Sequence, residues 1–168
     1  MPLFSPLPQH LIVANEAITT GGASHAMVAT NVYLYAFEIL VVTTYTGAKW
    51  RVSSTAVGST DVGVYTFAGT LLGSLGGIAN TSNTSMSGNF ATPILCGPGQ
   101  YFMALACSGA EPLYSVSSFN NVAVLSRCRV AVNGSAGTPT VLPSSTGGYT
   151  NAPAVFPAFS LIVSGGLT

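Results

Sequence analysis

The sequence predicts an all-β fold, an antiparallel β-sandwich of jelly-roll-like type with an extended N-terminal arm. About eight short runs are rich in β-branched and aromatic residues, and turn signals separate them at spacings of roughly ten residues. No stretch carries a convincing amphipathic helical period, and no internal repeat points to a propeller or β-helix. At 168 residues the chain is long enough to bury its own core without metals or disulfides. We divide it into an arm, residues 1–25, and one sandwich domain, residues 26–168.

In the arm, Pro2, Pro6 and Pro8 alternate with Leu3, Phe4, Leu7 and Leu11. Proline lacks the amide a helix needs, so the segment is extended. An apolar arm that cannot fold on itself lies on something else. It either reaches a neighbouring subunit, with Phe4, Leu7 and Leu11 as candidate inter-subunit contacts, or straps its own domain.

The strongest strand is residues 32–42, within a β-rich stretch from 26 to 44. With a period of two, Tyr33, Tyr35, Phe37, Ile39 and Val41 share one face, and Leu34, Ala36, Glu38, Leu40 and Val42 the other. Both faces are largely apolar, so both are expected to be covered. Thr46-Gly47 reads as a turn into residues 48–52, where Lys49 and Arg51 alternate with Trp50 and suggest a sheet edge or one wet face. Runs 62–67 and 70–75 flank Ala68-Gly69 as a hairpin. Residues 80–85 form a polar loop, and Gly97-Pro98-Gly99 a sharp corner. Further strands are expected at 101–107, 113–117, 121–132 and 159–163. The stretch 135–151, full of Gly, Pro, Ser and Thr, reads as the longest loop and as an exposed contact surface.

Only four acidic and four basic residues are present, 5% of the chain against roughly 25% in an ordinary soluble domain. Their charges cancel, which leaves no long-range repulsion between copies and favours assembly. High apolar content excludes disorder. The longest apolar run is about half the ~20 residues of a membrane helix and contains Glu38, so no membrane partner is expected. Residues 1–8 have neither the basic start nor the unbroken apolar stretch of a secretion signal. Cys96, Cys107 and Cys128 lack metal or redox spacing and read as buried free thiols.

Candidates for acid–base chemistry are few: Glu16, Glu38, Asp61, Glu111, His10 and His25. No G-x-S-x-G elbow occurs, and both histidines precede the first confident strand, so no enzyme is expected. Glu38 is the best candidate for a buried acid, satisfied by Lys49 or Arg51 on an adjacent strand or facing a subunit interface. Asp61 immediately precedes its strand, where a carboxylate accepts turn amides. No metal or cofactor is expected, because the cysteines are dispersed, the acids ungrouped and the glycine pairs unaccompanied by a phosphate-binding helix. Arg127 and Arg129 neutralise too few phosphates for nucleic-acid binding. The N-x-[ST] matches at Asn80, Asn83 and Asn133 are expected by chance in so Ser/Thr-rich a chain. Trp50 reads as packed, with contact to a sugar ring as the alternative.

Asp61-Val62-Gly63-Val64-Tyr65, followed some thirty residues later by Pro98-Gly99-Gln100-Tyr101-Phe102-Met103-Ala104-Leu105, resembles a sandwich domain common in bacteriophage virion proteins. The resemblance spans roughly residues 26–110, and residues 157–163 resemble the closing strand of such domains. It implies framework roles, without activity, for Asp61, Gly63, Tyr65, Gly97, Pro98, Gly99 and Tyr101. Thr66-Phe67 replaces the Asp or Ser that often follows the tyrosine, and Cys96 before the corner is unusual. The resemblance implies a non-enzymatic structural protein of the virion, made in the host cytoplasm. A capsid decoration or cement protein, bound to the major capsid protein and homotrimeric, fits a compact sandwich with an arm. The alternative is a tail or head-fibre domain that binds host-surface glycan through its end loops.

Overall fold

The computed structural model describes residues 24–29, 31–110, 112–116, 128–132, 141–151, 156–157 and 159–164. Phe4, Leu7, Leu11, His10, Glu16, Glu111, Arg127 and Asn133 lie outside them, as does the arm up to residue 23. The described residues form thirteen strands and no helix. In chain order these are β1 (Ser24–Ala26), β2 (Asn31–Ile39), β3 (Thr43–Arg51), β4 (Ser59–Thr66), β5 (Leu71–Ser74), β6 (Ile78–Ala79), β7 (Ser85–Cys96), β8 (Gly99–Cys107), β9 (Pro112–Val116), β10 (Cys128–Val132), β11 (Tyr149–Asn151), β12 (Phe156–Pro157) and β13 (Phe159–Val163).

All pairings are antiparallel, and the expected all-β sandwich is the observed architecture. The large sheet runs β11-β10-β2-β8-β4-β5, with β6 also on β4. A second sheet runs β13-β3-β7, and a third, β1-β9-β12, touches β3 through the Val52–Leu113 bridge. Alternation along β2 divides its side chains as the period-two reading requires. Tyr33, Tyr35, Phe37 and Ile39 enter the core between the sheets, where they meet Tyr45, Ala48 and Trp50 of β3 and Phe90, Ile94 and Cys96 of β7. Val32 and Leu34 face the other way and join Tyr65, Phe102, Ala104, Ala106, Ala131 and Leu142 in a second cluster. Trp50 is fully buried, its Nε1–H donating to Asn80 Oδ1 at 2.9 Å, while the Asn80 amide donates to Thr60 Oγ1 at 2.9 Å. The N-x-[ST] match at Asn80 is therefore an internal clasp.

Several expectations change. β2 ends at Ile39, and Leu40, Val41 and Val42 form an exposed connection to β3. Thr46-Gly47 is no turn but the interior of β3, where the pairing with β7 shifts register between Tyr45 and Gly47. The glycine is needed for close approach: a Cβ at Gly47 would stand 2.1 Å from the Gly88 carbonyl oxygen. Lys49 and Arg51 sit on the central strand of their sheet, so their alternation with Trp50 marks one wet face and not an edge. His25 belongs to β1, opposite Leu113. Cys96 and Cys107 are buried free thiols, and burial pushes the Cys96 thiol up.

Candidate functional site

Asp61, Gly63 and Tyr65 occupy alternate positions of β4 and so point to the outer face of the large sheet, away from Val62 and Val64 in the main core. All three meet the segment 141–143. Asp61 Oδ2 accepts the Leu142 N–H at 2.8 Å, and Oδ1 accepts the Gly76 N–H at 3.0 Å. The Tyr65 hydroxyl donates to the Pro143 carbonyl at 2.6 Å. A Cβ at Gly63 would lie 2.9 Å from Leu142 Cδ1 and 2.5 Å from the Gly73 carbonyl oxygen, so only glycine lets this side chain and β5 seat. Leu71 N–H to Ser144 O, Thr146 N–H to Gly69 O and the Thr70–Ser145 bridge fasten the rest of the segment to the β4–β5 hairpin.

Residues 141–148 are thus a strap across the sheet, with Leu142 and Thr146 buried beneath it. Within the stretch 135–151, expected to be one exposed loop, 141–148 is fastened to the sheet although Val141, Ser144, Ser145, Gly147 and Gly148 stay exposed; 149–151 is strand β11, and 135–140 lies outside the described residues. The place of Asp61 is corrected: it is the third residue of β4 and fully buried, with amides from segments 15 and 81 residues away as partners. Burial pushes its carboxyl up, while hydrogen bonds from Leu142, Ser74, Gly76 and Leu75 pull it down; burial wins. Burial, and next to it the Asp61 charge, push the Tyr65 phenol up.

At the corner, Gly99 opens β8 at φ +151°. β7 and β8 belong to different sheets, so Gly97-Pro98 carries the chain from one layer to the other. Tyr101 returns to the core side, its ring 6.0 Å from that of Phe37.

The outer face changes character along its strands. Outward positions of β2 run Val32, Leu34, Ala36, Glu38, and those of β8, read in register, run Ala106, Ala104, Phe102, Gln100. Both go from apolar to polar at the same end. There the sheet carries an open hollow of about 220 Å³, lined by Ala36, Glu38, Phe67, Gln100, Arg129 and Tyr149. Its aromatic wall is Phe102, fully buried, with Phe67 stacked on it at 5.0 Å and 12° and Tyr149 edge-on at 5.5 Å. Phe67 is 45% exposed and Tyr149 41%.

Glu38 is exposed and faces this hollow, so it is not the buried acid that the sequence suggested. Lys49 and Arg51 are in the other sheet, because the β2–β3 connection crosses between layers; the base that shares the hollow with Glu38 is Arg129. Sequence reasoning missed Gln100, Phe67 and Tyr149. The signal was the polar end of two adjacent strands, visible only once the register of β2 on β8 is known.

Among the described residues, no three His, Cys, Asp or Glu side chains are grouped to hold a metal, and no helix is long and apolar enough to cross a membrane. No protein-family model, curated protein or solved structure matches this chain. Fold and site together define a class: an antiparallel all-β sandwich with one strapped face and a small polar–aromatic hollow beside the strap.

Proposed function

We propose that this chain is a non-enzymatic structural protein of a phage virion, a jelly-roll decoration or cement protein. In this reading it sits on the capsid surface, binds the major capsid protein and associates with copies of itself, as a trimer. The observation that carries the reading is an apolar corner. Ile39 pairs with Gly99 in the large sheet and Thr43 with Cys96 in the second, so the two connections that cross between layers, 40–42 and 97–98, lie side by side. Leu40, Val41 and Val42 are 66%, 69% and 64% exposed, and Leu95, opposite Thr44, is 68% exposed. Monomers in water seldom present so many large apolar side chains together. Between subunits each Å² would gain ~25 cal/mol before association costs, and a chain of zero net charge adds no repulsion. The resemblance of 61–65 and 98–105 to virion sandwich domains supports the same reading.

The test is the copy number per purified particle, by quantitative mass spectrometry against the shell protein. A ratio approaching the shell protein's own is expected, and a ratio of a few per cent would remove the cement role. Val41→Ser combined with Val42→Ser should shift the purified chain toward monomer in analytical ultracentrifugation without lowering its unfolding temperature. The second reading, a fibre domain for host glycan, is favoured by the hollow and places recognition on a sheet face instead of the end loops.

A further inference from the structure

We infer that the hollow on the outer face of the large sheet is a saccharide site that takes a single neutral sugar ring. Charge is scarce in this chain and concentrated here. The chain has eight charged side chains, and two of them, Glu38 and Arg129, of opposite sign and on different strands, line the same hollow. Such a pair is poorly matched to a simple anion or cation, each of which one member would repel. It suits a ligand with many hydroxyls: the carboxylate accepts, the guanidinium donates, and the Gln100 amide and Tyr149 phenol do both.

The aromatic wall supplies an apolar surface beside these groups. Phe67 and Tyr149 are only half covered, yet both are held against the buried Phe102. Fixed ring faces or edges beside polar groups offer the two surfaces a sugar ring presents, its C–H face and its hydroxyl rim. Size sets the limit. A hollow of about 220 Å³ lies below the ~300 Å³ at which pockets for drug-sized ligands begin, which leaves room for one ring and not a long chain. The polar groups stand on β2, β8, β10 and β11, neighbouring strands of one sheet, so the site is formed before the ligand arrives. The inference does not rest on the virion reading.

The experiment is saturation-transfer NMR on the full chain with glucose, mannose, galactose and N-acetylglucosamine, each at ~10 mM to capture millimolar affinities. Transfer to at least one sugar is expected. Glu38→Gln, nearly isosteric at an exposed position, and Phe67→Ala should each weaken it roughly tenfold, the loss of one charge-assisted hydrogen bond or one ring contact. Leu72→Ser, exposed on β5 and outside the hollow, should leave it unchanged. Unfolding temperatures identify any variant that has lost its fold. No transfer from the folded chain to any sugar overturns the inference. So does transfer indifferent to both substitutions, or binding of free glycine, a zwitterion that matches the two charges, in place of the sugars.

Discussion

The inner and outer faces of the large sheet are both apolar over most of β2 and β8, yet they are closed by different means. Inside, Tyr33, Tyr35, Phe37 and Ile39 meet the second sheet, with Trp50, Tyr45, Phe90 and Ile94 filling the layer between. Outside, Val32, Leu34, Ala104 and Ala106 are covered with the help of the strap 141–148, which contributes Leu142 to the cluster. A sheet closes a face by area, because every second residue adds apolar surface. One loop has too few side chains for that and is held by directed polar contacts: one to Asp61, one to Tyr65 and two backbone bonds to the β4–β5 hairpin. Beyond the strap, the face turns polar and opens into the hollow. Apolar burial builds the body, and hydrogen bonds position the cover.

This contrast is broken most severely by Trp50→Ala. Truncation of the largest inner-face side chain should cost about 3–5 kcal/mol in urea unfolding. A midpoint unchanged from the parent would show that the layer between the sheets does not dominate stability. Asp61→Ala should cost ~1–3 kcal/mol for each amide it orphans. Hydrogen exchange at the Leu142 and Gly76 amides should accelerate more than at the β8 amides, since both amides lose their carboxylate acceptor while the sheet stays closed. Equal acceleration in both would mean that strap and sandwich open as one unit. Tyr65→Phe removes a single bond to Pro143 and should cost about 1 kcal/mol.

The smallest effect is a pH slope. The Asp61 carboxyl is raised in the folded chain, whereas an unfolded aspartate titrates at about 3.9. Between those values the folded state holds the extra proton. This contribution to stability is therefore full below about pH 3.9 and is lost as pH rises through the folded value. Urea midpoints for the parent should fall over that window relative to Asp61→Ala, in which this component is absent. The opposite slope would mean that the four hydrogen bonds outweigh burial.

Much of the framework is legible in the residues themselves. Alternation in 32–39 states that two apolar faces exist, and the turns at Ala68-Gly69 and Gly97-Pro98-Gly99 are marked by glycine. The errors share one cause. Gly47 reads as a turn because glycine permits turns, but here it permits a backbone 2.1 Å from where its Cβ would sit. Leu40, Val41 and Val42 read as strand because they are apolar, and the true connection lies there. The strap reads as a free loop because its composition is that of a loop, and its anchors are some eighty residues away.

The sequence by itself determined that this chain is an all-β sandwich, which residues face which side of its central strand, and that charge is scarce. Those properties follow from period and composition, which are local. Only the tertiary structure decided that Asp61, Gly63 and Tyr65 serve a distant strap, that Glu38 lies in a different sheet from Lys49, and that Glu38, Arg129, Phe67, Gln100 and Tyr149 share a hollow. These depend on strand order and register, which arise from contacts between segments far apart in the chain and leave no periodic trace within any one of them.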